Sequence, residues 1–74
     1  MVTEEMYHIE LVDADGVQVF RRLSLRSHSV ALVRERAVRA LRRAHAPGSR
    51  IHGAEGVRVL DGAGYELFSA KAHD

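Results

Sequence analysis

The chain reads as an α+β domain of two layers. It predicts a single antiparallel-dominated sheet, in the order ββαβββ, with one amphipathic helix on one face. Three observations predict this. A three-residue turn followed by an alternating strand occurs three times, as Ala14-Asp15-Gly16 before Val17–Phe20, Ala54-Glu55-Gly56 before Val57–Leu60, and Gly62-Ala63-Gly64 before Tyr65–Phe68. A stretch of helical periodicity lies between the first two copies. The registers implied by the three turns also put their apolar residues on one shared face.

Tyr7-His8-Ile9-Glu10-Leu11-Val12 is the first expected strand, with Tyr7, Ile9 and Leu11 pointing one way. Each turn ends in Gly, which tolerates positive φ and can close a three-residue hairpin loop. Pairing Asp13 with Val17 sets Leu11 opposite Val19, so that Ile9, Leu11, Val17 and Val19 share a face. The same arithmetic predicts a strand around Ile51 facing Val57 and Val59, and places Val59 beside Tyr65 and Leu67.

The helix is expected over residues 30–44. Ser27 or Ser29 supplies an N-cap hydroxyl, and Pro47-Gly48 stops it. At 100° per residue, Val30, Val33, Ala37, Ala40, Leu41 and Ala44 form one stripe, and Arg36, Arg39, Arg42 and Arg43 fall opposite with Glu35. The alanines allow the helix to sit close to the sheet.

Seventy-four residues make one domain, residues 1–74, with fraying expected at 1–5 and 71–74. A chain of this size has a small core, and without Cys it has no disulfide or thiolate metal site to reinforce it. Self-association is a natural way for it to bury more area. No apolar run approaches the roughly 18 residues that span a bilayer. Met1-Val2-Thr3-Glu4-Glu5 has neither a basic nor an apolar leader pattern, so a cytoplasmic location is expected and no membrane partner.

Net charge is +1, yet its distribution is uneven. Residues 1–15 hold five acids and no Lys or Arg, whereas residues 21–50 hold nine Arg against the single acid Glu35. Arg36, Arg39 and Arg43 share an i, i+3, i+7 geometry that tracks phosphates or carboxylates. Three readings follow: a solvated helix face, a nucleic-acid contact through Arg36, Arg39, Arg42 and Arg43, or an acidic protein surface. No aromatic residue interleaves the arginines to stack on single-stranded bases.

Catalytic, metal and cofactor sites are not expected. His8, His28, His45, His52 and His73 form no helical ligand pair, and Ser24, Ser27, Ser29, Ser49 and Ser69 fall in no elbow motif. Asp13, Asp15 and Asp61 sit in turns, where carboxylates bond backbone N–H groups. His8 and His52 are expected on the same sheet face.

The face away from the helix is expected to present Val12, Phe20, Leu60 and Phe68 among His8, Glu10, Gln18, Arg22, His52, Arg58 and Glu66. Such an apolar patch points to a non-enzymatic protein-interaction or regulatory module, homodimeric through that face. Nucleic-acid binding through the Arg helix is the alternative.

The segment Ser49-Arg50-Ile51-His52-Gly53-Ala54-Glu55-Gly56-Val57-Arg58-Val59, following an Ala- and Arg-rich helix, resembles short bacterial domains of unknown function. Those domains place two strands before a helix and two or more after it. The resemblance implies a fold of ββαββ type and carries no activity. The chain departs from the pattern in its helix opening and in the strand Tyr65–Ser69.

Overall fold

Two alternating stretches joined by a short polar turn pair with each other first, because the turn brings their backbone groups together at the least loop-closure cost. That rule builds both ends of this molecule. In the computed structural model, which describes residues 3–72, the elements run β1 (Glu5–Val12), β2 (Val19–Ser27), α1 (Val30–His45), β3 (Gly56–Asp61) and β4 (Glu66–Lys71). The strands form one antiparallel sheet in the order β2-β1-β3-β4. The α+β class with one helix on one sheet face is therefore observed, with four strands where five were expected.

The missing strand is the one around Ile51. Strand β3 has β1 on one side and β4 on the other, so it has no edge left for a third neighbour. Residues 50–55 run as a loop instead, tied by the Glu55 N–H to the Val12 carbonyl at 2.9 Å. Gly56, expected to close a turn, begins β3, and a Cβ there would lie 3.2 Å from the Ala70 carbonyl oxygen. Close backbone approach selects this glycine. Gly16 and Gly64, by contrast, hold φ of 72° and 92° and do close hairpins.

Each hairpin is seeded by an aspartate. Asp61 accepts from the N–H groups of Ala63 and Tyr65, both at 2.9 Å, and its loop has the expected three residues. Asp13 accepts from Val17 at 2.9 Å and from Asp15 and Gln18 at 3.2 Å. The Val17 N–H, with the other backbone donors, holds the Asp13 carboxyl below the usual carboxylate range. Its loop is one residue longer than expected, closed by Asp13 and Gln18.

Beyond each turn the register slips. Val12 pairs with Val19 but Leu11 with Arg21, leaving Phe20 in a bulge. Leu60 pairs with Glu66 but Val59 with Phe68, leaving Leu67 in a second bulge. The second slip turns Phe68 and Ala70 to the helix side, and leaves Tyr65 and Leu67, expected on the apolar face, exposed. Val17 and Val19 are likewise exposed; the place expected for Val19, opposite Leu11, is taken by Arg21, and Leu23 and Leu25 pair with Ile9 and Tyr7.

Helix α1 begins at Ser29, whose Oγ accepts from the Leu32 N–H at 3.3 Å. It ends before Pro47, with Arg42, Arg43 and His45 against the negative end of its dipole. The His45 ring hydrogen-bonds the Ala54 carbonyl, which fixes the following loop to the helix end. Val33, Ala37, Leu41 and Ala44 bury against Tyr7, Ile9 and Leu11 of β1 and Val57 and Val59 of β3. Val30, expected in the buried stripe, is 40% exposed.

Glu5 and Lys71 lie within strands, and the Ala72 N–H donates to the Glu55 carbonyl at 2.8 Å. These positions fall within the segments 1–5 and 71–74 expected to fray. The same expectation for residues 1–2 and 73–74 lies outside the described residues.

Gly53 has φ of 93°, and a Cβ there would meet the Phe20 ring at 3.2 Å, whereas Gly48 has φ of 86° with open space around it. Gly53→Ala is expected to lower stability by about 1–3 kcal/mol from backbone strain and ring displacement together. Gly48→Ala should show only the strain. Equal urea midpoints for the two variants would show that Phe20 does not press on Gly53.

Candidate functional site

The four residues expected to form an apolar patch do not share a face. Phe20 and Phe68 both pack against the core as partly buried side chains, Phe20 from its bulge and Phe68 beside Val59. Val12 is 6% exposed and Leu60 is half-buried. The longer first turn and the β4 bulge account for the correction: the turn brings Phe20 level with Leu11 and not with Glu10, and the bulge resets the alternation that placed Phe68 outside.

What occupies the uncovered sheet face is an ion-pair network. Alternation puts His8, Glu10 and Val12 of β1 on this side, with Arg22 and Arg58 flanking Glu10 across the strands. Arg58 Nε donates to Glu10 Oε1 at 2.6 Å, and Arg58 Nη1 donates to the Gly16 carbonyl at 3.1 Å. Arg22 Nε lies 3.7 Å from Glu10 Oε2. The Glu10 side chain is only 8% exposed, so Arg58 neutralises a buried carboxylate and clamps the first hairpin turn at once. His8 Nδ1 shares a hydrogen bond with Ser24 Oγ at 2.7 Å. His52, expected beside His8, is in the loop before β3 and belongs to no strand.

The expected arginine quartet is divided by the helix. Arg36, Arg39 and Arg43 border a groove of about 340 Å³ between α1 and β2, floored by Ile9, Leu23, Leu25 and Ala40. Arg21, Arg43 and Arg50 border its continuation of about 350 Å³. Arg42 and Arg34 lie along the β4 side instead, where the Arg34 guanidinium stands 4.6 Å from the Phe68 ring centroid. Among the described residues, Arg36, Arg39, Arg42 and Arg43 make no salt bridge, and all four are exposed.

Strand β2 supplies the part of this surface that sequence reasoning missed. It is an edge strand of nine residues, the longest in the sheet, and among the described residues it pairs only with β1. Leu23 is 41% exposed beside the groove. The signal was present in Leu23-Ser24-Leu25-Arg26, an apolar–polar alternation continuing past Arg22.

Among the described residues no group of three or more His, Asp or Glu side chains is placed to hold a metal ion, and no helix is long and apolar enough to cross a membrane. Comparison with protein-family models, curated proteins and solved structures finds no match to this chain.

Removing Arg58 leaves a buried carboxylate with only a distant partner. Arg58→Ala is therefore expected to cost about 3 kcal/mol, and Arg22→Ala, at an exposed and longer-range pair, less than about 1 kcal/mol. Urea melts of both variants check this. Equal losses would show that the Glu10 network does not discriminate its two arginines.

Proposed function

We propose that this protein is a non-enzymatic protein-interaction module that docks its partner along strand β2 and the adjoining α1 groove. One observation carries the reading: a long strand edge, without a neighbour among the described residues, lies beside an apolar floor bordered by arginines that make no salt bridge among those residues. A free edge offers backbone hydrogen bonds, and a flanking groove offers side-chain selectivity. The alternation of Leu23 and Leu25 with polar residues suits a surface read from one side.

The check is selection of a displayed library of ten-residue peptides against the intact protein. Counter-selection uses a Leu23→Asp, Arg39→Glu variant shown by circular dichroism to be folded. Peptides are expected that bind the wild type and lose at least tenfold on the variant. A library yielding no binder, or only peptides indifferent to the two changes, sinks the reading.

Self-association is a second reading, favoured by the opposite edge. Strand β4 carries Glu66 at one end and Lys71 at the other, both on the uncovered face with Leu60 and Gly56. Antiparallel pairing with a second copy brings each Glu66 toward the partner copy's Lys71. Sedimentation velocity at micromolar concentration should then give a dimer, weakened in Lys71→Glu and restored in the Glu66→Lys, Lys71→Glu double variant. A monomer throughout removes the dimer.

A further inference from the structure

Resting on the β2 reading, we propose that the partner segment is an extended acidic stretch of a protein, which adds to β2 as a fifth strand. The charge around this edge is one-sided. Strand β2 carries Arg21, Arg22 and Arg26 and no acid. Arg21 lies on the helix side with its pair Leu11, whereas Arg22 and Arg26 pair with Glu10 and Met6 and point to the uncovered face. Arg36, Arg39 and Arg43 overhang the helix side. A strand laid along β2 therefore meets guanidinium groups on both of its faces.

A neutral apolar strand would desolvate those cations and, apart from Arg22 with its carboxylate partner Glu10, leave them without a counter-charge. Carboxylates on both faces would pair them, with glutamate stems or aliphatic residues lying on Leu23 and Leu25. This chemistry also separates an acidic strand from the competing occupants. A second copy of β2 would bring the same three arginines and another Arg-lined helix to the same edge, so like charges oppose that pairing. A nucleic acid would satisfy the guanidinium groups but has no strand edge to offer the β2 backbone. The molecule's two phenylalanines also pack against its core, and the exposed Tyr65 lies in the β3–β4 hairpin at the opposite side of the sheet, so neither type stands beside this edge to stack on bases. An acidic strand uses the edge, the floor and the arginines together.

The probe is a fluorescent seven-residue peptide, Val-Glu-Glu-Val-Glu-Glu-Val, which as a strand presents carboxylates on both faces, titrated into the intact protein at 50 mM and 300 mM salt. Controls are the same peptide with lysine for glutamate, and one with proline in place of the central and last valines, whose N–H groups point to opposite edges of a strand, which keeps the charge and removes strand competence. A 20-base-pair duplex RNA and a duplex DNA complete the set. The glutamate peptide is expected to bind at low salt and weaken at least fivefold at high salt. It should lose at least tenfold against the Arg36→Glu, Arg39→Glu, Arg43→Glu variant, and so should the proline peptide against the wild type. Amide exchange of residues 19–27 should slow on binding.

Equal affinity of the proline peptide would reduce the effect to charge alone and overturn strand addition. Duplex binding without peptide binding would assign the arginines to nucleic acid. If the glutamate peptide fails while the library yields β2-dependent peptides without acidic residues, the acidic chemistry is wrong and the interaction reading stands. If both fail, both fall.

Discussion

A single α-helix is about 10 Å across, and neighbouring strands are spaced about 4.8 Å apart, so one helix shields roughly two strands of a sheet. This sheet has four. Helix α1 is seated over the central pair, with Val33, Ala37 and Leu41 against Ile9, Leu11, Val57 and Val59. Alanine at positions 37, 40 and 44 brings the helix close but adds no width. The helix-side flanks of β2 and β4 are therefore left for something else to cover, and much of the molecule's character follows from how each is covered.

On the β4 flank the answer is internal. A bulge opposite Leu60 rotates Phe68 onto the helix side, and Arg34 reaches over its ring. A second bulge places Phe20 against Gly53, closing the end of the core beneath the loop that follows the helix. The β4 slip buries aromatic area that a regular ladder would have left facing water, and the β2 slip returns Leu23 and Leu25 to the helix side, a gain in apolar contact for a domain this small. The β2 flank has no comparable plug. Leu23 and Leu25 are overhung by arginine side chains, whose aliphatic stems shade the floor while their charged ends stay in water.

The uncovered sheet face is handled differently again. Glu10 is buried there by the two arginines that flank it, and Arg58 links the central strands to the first hairpin turn. The arginines of this chain thus divide by partner. Those on β2 and β3 that flank Glu10 are balanced by its carboxylate, whereas those along α1 make no salt bridge among the described residues. Overall charge near neutrality conceals that separation. It is the local field along α1 and β2, not net charge, that bears on association.

Local chemistry was legible in the sequence wherever neighbours in the chain decide the outcome. The Ser29 cap, the stop at Pro47, the helix stripe of Val33, Ala37, Leu41 and Ala44, the Asp-and-Gly turns at 13–16 and 61–64, and the alternation of β1 follow from contacts within a few residues. The class of the fold follows from their order. Tertiary structure alone decided the partners of β3. The choice of β1 over the segment around Ile51 depends on strands distant in the chain. It also decided the two bulges, because a single-residue slip costs little locally and is selected by the apolar area it brings to the helix side, Phe68 in β4 and Leu23 and Leu25 in β2. The longer first turn and the β4 slip moved Phe20 and Phe68 inward, so the uncovered sheet face carries the Glu10 ion pairs in place of two phenylalanines.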